Sequence, residues 1–227
     1  MEDTEGFDLQ DAHITHFHEQ GFLRLGRLTT DRELAWLQTA YDEIVKRKMG
    51  YSPDELHQKS ASRDDNPLVT ILYPEKIIPE LQNTIFYRNV RKVFSRLLDV
   101  DEMYFLTGWR LFLKPAHVGE TPWHQDAAYR PPPHHGAGVW MPLDPVTHKN
   151  GCLQYIRGSQ RGGLRPHYRQ DDNLVATDVD LAHSTVCSLK PGEAVTHHCY
   201  TLHYAGPNTT DCARRAIGIV CQVTERR

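Results

Sequence analysis

Short apolar segments separated by turn residues fill the second half of the chain, and this pattern constrains the fold more than any other feature. Gly, Pro, Asn and Asp bound these segments, which is typical of short β-strands. The strands lack the intervening helices that βαβ units need, so the pattern predicts a mainly β protein with flanking helices. We expect a double-stranded β-helix, the cupin-like jelly roll. The predicted strands are Met103–Lys114, Gly138–Leu143, Cys152–Arg157, Glu193–His203 and Ala216–Val223.

Two helices are predicted ahead of these strands. Thr30 and Glu33 have the spacing of a capping box, and apolar residues then recur at helical period over residues 31–48. A second, broken apolar stripe predicts a helix over residues 78–98, with Pro79 in its first turn.

The chain length suits one domain over residues 1–227. We expect a helical layer at about residues 1–100 and the jelly-roll core at about residues 101–227. Tyr129–Gly138 contains three consecutive prolines and His167–His183 is polar, so both segments are predicted to be loops.

Composition excludes several classes of protein. The formal net charge is -3 and basic residues are scattered among acidic ones, so no surface for nucleic acid is predicted. The start of the chain is acidic, and no apolar run approaches the ~20 residues of a membrane span. Five cysteines without a C-x-x-C pair favour reduced thiols. We therefore expect a cytoplasmic protein, whose oligomeric state the sequence does not specify.

A histidine and a carboxylate two positions apart form the first candidate metal site. His124 and Asp126 would point to the same face of an extended strand, so both could bind one ion. Two histidines and one carboxylate on one face of Fe(II) leave three open positions, as in non-haem iron oxygenases. The missing histidine has three candidates in one segment, His197, His198 and His203, among which local sequence does not decide.

An arginine after this segment suggests the cosubstrate. Many such oxygenases use 2-oxoglutarate, and a guanidinium binds its distal carboxylate with two parallel hydrogen bonds. Arg214 and Arg215 begin the next predicted strand and are the available pair.

The order of these motifs resembles the phytanoyl-CoA dioxygenase family. That family has an H-x-D motif, a distal histidine and an arginine eleven positions beyond it, an interval that His203 and Arg214 fit. The resemblance spans roughly residues 13–223. It also includes Trp140, Asn150-Gly151-Cys152-Leu153, the segment from Gly158 to His167, and Gly206-Pro207-Asn208.

The resemblance implies iron ligation by His124, Asp126 and His203. It also implies that Fe(II), 2-oxoglutarate and O2 are used, with ascorbate as a stimulant, and that succinate and CO2 are coproducts. A small molecule would be the substrate, and hydroxylation of an unactivated C–H bond the default outcome. Related halogenases lack the carboxylate ligand, so the presence of Asp126 favours oxygenation.

The cosubstrate residues implied by the resemblance are Arg214, as the partner of the distal carboxylate, and Gln125 and Trp140, as pocket lining. Ala205 departs from the family pattern, because members often have a serine there that adds a hydroxyl contact to the cosubstrate. Lys114 also resembles a basic residue of the family, but we interpret it as a solvated surface lysine.

Two other hypotheses remain at this stage. One is a family member without turnover that serves as a metal- or ligand-binding module, and the other is a cupin-like metalloenzyme that does not use 2-oxoglutarate. Under the second hypothesis Arg214 would be a structural ion pair. His197 and His198 are adjacent, so in a strand they face opposite ways, and packed or surface roles are expected for both.

Overall fold

The computed structural model describes residues 8–50, 68–129, 135–170 and 173–224. The helices in these ranges are α1 (Asp11–Gln20), α2 (Asp31–Met49) and α3 (Ile85–Leu98). The strands are β1 (Phe22–Arg27), β2 (Val69–Leu72), β3 (Phe105–Lys114), β4 (Thr121–His124), β5 (Gly136–Pro142), β6 (Leu153–Ile156), β7 (His167–Gln170), β8 (Asn173–Ala176), β9 (Ser184–Cys187), β10 (Glu193–His198), β11 (His203–Ala205) and β12 (Arg214–Val223). Short 3₁₀ turns lie at Pro74–Lys76, Pro79–Asn83, Glu102–Tyr104, Asp126–Tyr129, Ser159–Gly162 and Leu181–His183.

Two antiparallel sheets form the body of the protein. The larger sheet has the order β1-β10-β5-β12-β3-β2 and the smaller one has the order β4-β11-β6-β9. Strands that are distant in sequence lie side by side in both sheets, as expected when strands alternate between the two layers of a jelly roll. The predicted jelly roll is confirmed.

Strand β12 shows how the larger sheet separates two hydrophobic clusters. Ala216 packs with Trp140 and Tyr155 in the cluster between the two sheets. Ile217, its neighbour in sequence, packs in the cluster that holds the helices against the opposite face. Because side chains alternate between the faces of a strand, even-numbered positions of β12 point into the jelly roll. Arg214 is one of these positions.

Helix α2 begins as the sequence predicts, but only half of the expected capping box forms. The Thr30 hydroxyl accepts a hydrogen bond from the Glu33 backbone N–H at 3.1 Å. The Glu33 carboxylate turns away from Thr30 and accepts the first N–H groups of α3, those of Ile85 at 2.5 Å and Phe86 at 2.9 Å. Glu33 therefore joins the starts of two helices, and its charge is favourable at the positive end of α3.

The second predicted helix is shorter than expected. Residues 79–83 form a 3₁₀ turn, and α3 begins only after Thr84, whose hydroxyl accepts the Tyr87 N–H at 3.1 Å. Thr84 is the better start because its side chain satisfies one of the unpaired N–H groups of the first helical turn. The predicted helix with its apolar stripe is confirmed from Ile85 onward.

Several predicted strand and loop boundaries also differ. The segment 193–203 is two strands, β10 and β11, separated by a turn at residues 199–202. The predicted loop 167–183 contains the hairpin of β7 and β8, and β1 lies in the region predicted as a helical layer. The acidic start of the chain and residues 130–134 of the proline-containing loop lie outside the described residues. Within the described ranges, none of the helices combines the length and apolar character needed to cross a membrane.

We predict that Glu33→Ala lowers the free energy of unfolding by about 2 kcal/mol, because it leaves two backbone N–H groups of α3 without a charged acceptor. Glu43→Ala is the matched control on the same helix. Among the described residues Glu43 forms a salt bridge with Arg47 alone, on the exposed surface, so its loss is expected to cost less than about 0.5 kcal/mol. Chemical denaturation of the metal-free proteins measures both, and equal losses would contradict the joining role of Glu33.

Candidate metal centre

Three side chains converge in the interior of the jelly roll. His124 is the last residue of β4, His203 is the first residue of β11, and the two are direct partners across antiparallel strands. Their ring centroids lie 4.1 Å apart. Together with Asp126 they offer ligand atoms that all lie within 4.8 Å of one another. The structure thus brings together the three residues predicted to bind iron.

Asp126 reaches this site by a route other than the predicted one. Strand β4 ends at His124, and Asp126 begins a 3₁₀ turn. A hydrogen bond from the Ala127 N–H to the Cys199 carbonyl, at 3.0 Å, holds this turn against the end of β10. The argument from the alternation of an extended strand is therefore wrong for this pair, although both side chains face the same site.

Both histidines present the same ring nitrogen to the centre. His124 Nδ1 lies 2.7 Å from the Pro122 carbonyl oxygen, and His203 Nδ1 lies 3.0 Å from the Thr201 carbonyl oxygen. A carbonyl only accepts, so each Nδ1 carries the proton and donates it. The Nε2 lone pairs remain available for a metal, the arrangement that metal-binding histidines typically show.

Burial sets the charges of the three groups in the form that a metal needs. Burial lowers the pKa of His124 and lowers that of His203 well below its ordinary value, so both rings stay neutral. Burial acts to raise the pKa of Asp126, but the hydrogen bond from His197 favours the carboxylate and holds that pKa below its ordinary value. Two neutral imidazoles and one carboxylate result.

The other two candidate histidines occupy different environments. His197 is buried beside the centre, with Nε2 3.2 Å from an Asp126 oxygen. His198 faces the other way, and its Nδ1 accepts the Tyr200 N–H at 3.2 Å. Of the three histidines that the sequence left open, His203 is the one whose nitrogen belongs to the close group of ligand atoms.

Arg214 forms an incomplete set of hydrogen bonds inside the jelly roll. Its side chain is buried, with the residue 2% exposed. Nη2 donates to the Gly151 carbonyl at 3.1 Å, and Nε lies 3.5 Å from the Asn150 carbonyl. Nη1 is buried without a partner among the described residues, and the guanidinium carbon lies 5.1 Å from the centre of the Trp140 ring. A buried donor of a charged group without an acceptor is costly unless a ligand satisfies it.

Lys114 lies directly across from Arg214 on β3 and is completely buried. Its Nζ donates to the Ala205 carbonyl at 3.3 Å, two residues beyond His203. Burial, together with the charge of Arg214, lowers the pKa of Lys114 to about 7. The interpretation of Lys114 as a solvated surface residue is wrong. The only local signal was its position at the end of a predicted strand, and its partner became evident only from strand pairing.

Lys114 and Arg214 are neighbouring cations, and Glu120 acts on Lys114 only from beyond salt-bridge distance. Within the part of the chain that the structure describes, neither Lys114 nor Arg214 forms a salt bridge. Like charges side by side in a buried site repel each other, and an anion relieves both the repulsion and the cost of burial. Gly151 permits the close packing, because its φ is +82° and a Cβ there would lie 2.9 Å from the Lys114 side chain.

Arg215 does not compete with Arg214 as the anion-binding residue. It points toward the helices, where its guanidinium binds Asp144 at 2.7 Å and Asp42 of α2 at 2.9 Å. The two carboxylates occupy its donors and tie α2 to the sheet. Of the adjacent arginines, Arg214 is therefore the one that faces the interior of the jelly roll with a free donor.

The two predicted pocket-lining residues differ in their contacts. Trp140 lies in the interior cluster beside the Arg214 guanidinium. The Gln125 amide is fully used by backbone groups, since Nε2 donates to the carbonyls of Gly163 and Tyr200 and Oε1 accepts the Arg165 N–H. It joins three segments around the site, and its contact with a cosubstrate stays a prediction.

The donor set, the unpaired Arg214 nitrogen and the interior cation pair fit Fe(II) and a dicarboxylate in adjacent positions. A jelly roll with such a site belongs to the class of non-haem iron, 2-oxoglutarate-dependent oxygenases. The family model of phytanoyl-CoA dioxygenase (PhyH) matches residues 17–216. The chain belongs to this family, as the order of motifs predicts.

Relatives of known sequence and structure agree with this placement. A probable phytanoyl-CoA dioxygenase of Caenorhabditis elegans is 24% identical over 234 residues, which cover 94% of this chain and 75% of the worm protein. EvdO2 of Micromonospora carbonacea var. aurantiaca, solved in complex with 2-oxoglutarate, is 32% identical with a TM-score of 0.82 and coverage of 96% and 92%. SnoK, a carbocyclase from nogalamycin biosynthesis, is 20% identical with a TM-score of 0.71, covers 95% of this chain and 85% of its own, and shows the same fold.

We predict that His124→Ala, Asp126→Ala and His203→Ala each weaken Fe(II) binding by more than about 100-fold, because loss of a ligand should exceed the 10–100-fold effect of losing an outer partner. Anaerobic titration with Fe(II) measures this. His198→Ala is the control, since its ring faces away from the centre, and it should bind within a few-fold of the unsubstituted protein. Wild-type affinity in the His203 variant would refute the assignment.

Proposed function

We propose that this protein binds Fe(II) through His124, Asp126 and His203, takes up 2-oxoglutarate and O2, and hydroxylates an unactivated C–H bond of a small molecule. Succinate and CO2 would be the coproducts, with ascorbate keeping the iron reduced. The observation that carries the proposal is the buried, unpaired Nη1 of Arg214 beside the buried Lys114.

The cation pair suits the distal carboxylate of 2-oxoglutarate. In the described part of the chain, Arg214 has an unpaired donor for a carboxylate oxygen, and the Lys114 ammonium group donates to the Ala205 carbonyl alone. The complex of EvdO2 with 2-oxoglutarate, at 32% identity over almost the whole chain, supports the same cosubstrate here. Family members often have a serine at the position of Ala205, whose hydroxyl contacts the cosubstrate. Lys114 would give the cosubstrate a polar contact in its place.

The residues of the chain hold, orient and shield the reactants. When bound, iron and 2-oxoglutarate supply the oxidising power, and reductive activation of O2 is coupled to decarboxylation of the cosubstrate. Arg214 and Lys114 would hold one end of the cosubstrate, which sets the direction in which its other end meets the metal. Trp140 closes the interior beside the guanidinium and excludes water there. Asp126 would occupy the coordination position that a halide needs in related halogenases, which favours hydroxylation over halogenation.

We predict that the protein loaded with Fe(II) forms succinate from 2-oxoglutarate in air and ascorbate, slowly without substrate and faster with it. Arg214→Met should raise the 2-oxoglutarate concentration for half-maximal turnover about 10–100-fold, because a hydrogen bond to a charged group contributes about 1.5–3 kcal/mol. Succinate formation over a range of 2-oxoglutarate concentrations measures the rate of turnover and the concentration for half-maximal turnover.

Arg47→Met is the matched control, since Arg47 lies on the exposed face of α2, where it pairs with Glu43. Succinate formation that is unchanged in the Arg214 variant would favour the cupin-like alternative without 2-oxoglutarate. Tight 2-oxoglutarate binding without any succinate, even with a verified substrate, would favour the binding module.

We predict that affinity for 2-oxoglutarate declines as pH rises above about 7. The pKa of Lys114 is lowered to about 7 in the absence of ligand, and a bound anion raises it again, so binding above pH 7 takes up a proton. Arg214 stays charged in this range because burial lowers its pKa only to about 10. Anaerobic calorimetry from pH 6 to pH 9 measures the decline.

Lys114→Met should remove most of this pH dependence and weaken binding at pH 6. Lys190→Met is the control, because Lys190 is exposed in a turn. The same decline in Lys114→Met as in the unsubstituted protein would show that another group takes up the proton.

A further inference from the structure

His197 forms a hydrogen-bonded chain that ends on Asp126. It lies on β10 and is buried, with the residue 6% exposed. Its Nε2 lies 3.2 Å from Asp126 Oδ2, and its Nδ1 lies 3.1 Å from the Tyr155 hydroxyl on β6. The Tyr155 ring is held in turn by Phe22, with the two rings stacked 4.6 Å apart at 9°. His197 and Tyr155 are buried in the interior of the jelly roll, and Asp126 is partly exposed.

The charge of Asp126 fixes the direction of its hydrogen bond with His197. An ionised carboxylate only accepts, so the His197 Nε2 must carry a proton and donate it to Asp126. On the other side of the ring, His197 Nδ1 shares the second hydrogen bond with the Tyr155 hydroxyl. Each group therefore specifies the orientation of the next one.

The two oxygens of Asp126 have different surroundings. Oδ2 accepts from His197. Oδ1 faces the proposed ligand His203, whose Nε2 lies 3.7 Å away. One oxygen is thus engaged by a donor from the protein, and the other is directed to the metal centre.

Gly138 provides the space for this contact. It is the cross-strand partner of His197 on β5, and a Cβ at this position would lie 2.9 Å from His197 Nε2 and 3.5 Å from Asp126 Oδ2. The φ of Gly138 is not positive, so its backbone accommodates any residue. Space for the His197–Asp126 contact is the feature that requires glycine here.

We propose that His197 is a positioning residue that makes Asp126 a one-oxygen ligand, with Tyr155 fixing the orientation of His197. The inference rests on the proposed iron ligation and deepens it. A carboxylate that bound through both oxygens would occupy a second coordination position. Engagement of Oδ2 by His197 keeps three positions open, two for the cosubstrate and one for O2.

The test is an anaerobic titration with Co(II) as a probe for Fe(II), followed by 2-oxoglutarate, with the Co(II) absorption spectrum reporting the coordination. His197→Phe keeps the ring but removes both hydrogen bonds, and we expect it to weaken Co(II) binding about 10–100-fold and to change the spectrum. His197→Gln can still donate to Asp126 and accept from Tyr155, so it should restore affinity to within a few-fold. His16→Phe, on the exposed face of α1, is the matched control.

Two further variants separate positioning from folding. Tyr155→Phe keeps the stacked ring and should weaken Co(II) binding by a few-fold. Combined with His197→Phe it should cause no further loss, because both side chains act through the same series of hydrogen bonds. Gly138→Ala should weaken Co(II) binding by pushing His197 away from Oδ2. Melting temperatures of the metal-free proteins identify any variant that fails to fold.

Three outcomes would overturn the inference. Wild-type Co(II) affinity and spectrum in folded His197→Phe would do so while leaving the proposed ligands intact. Additive losses in the His197 and Tyr155 double variant would show that the two side chains act separately. Absence of Co(II) and Fe(II) binding in the unsubstituted protein would overturn the proposed ligation, and this inference with it.

Discussion

Antiparallel register is the constraint on which the rest of this structure depends. The pairing of β11 with β4 places His203 opposite His124, and the pairing of β12 with β3 places Arg214 opposite Lys114. A shift of one residue in either pair would turn a side chain from the interior to the opposite face. Both halves of the site therefore follow from two registers. The alternation along β12, with Ala216 inward and the next residue outward, specifies one of them.

The interior that these registers create is unusually polar. It holds one carboxylate, three histidines and two cations, and each of these groups is costly to bury without a partner. The groups are divided by sign: Asp126 lies among imidazoles and accepts a hydrogen bond from His197, whereas the cost of burying Arg214 beside Lys114 remains until an anion binds. Such an interior favours binding of a cation at one end and an anion at the other. Ligand binding then stabilises the fold as well as completing the site.

Sequence reasoning succeeded where the information was local. The period of apolar residues located α2 to within one residue of its end, and the β12 run was found because its flanking turns are clear. Reasoning failed where a distant segment intervened. The Glu33 carboxylate has capping-box spacing, yet it accepts the N–H groups at the start of α3, which only tertiary packing brings within its reach. Likewise Asp126 is turned toward the centre by a contact of its loop with residue 199.

The sequence by itself determined the fold class, the types of ligand and the interval that singles out His203 with Arg214. The fold class and the ligand types follow from periodicity and spacing, which depend on neighbours a few positions apart, whereas the interval is implied by the resemblance to the phytanoyl-CoA dioxygenase family. Only the tertiary structure decided the roles of Lys114 and His197. The first is completely buried and not a surface lysine, and the second bonds to Asp126 and not to a neighbour along its strand. Lys114 meets Arg214 across paired strands, and His197 meets Asp126 of a 3₁₀ turn, in both cases far apart in sequence. The physical reason is that burial and contacts between distant segments are properties of the closed jelly roll.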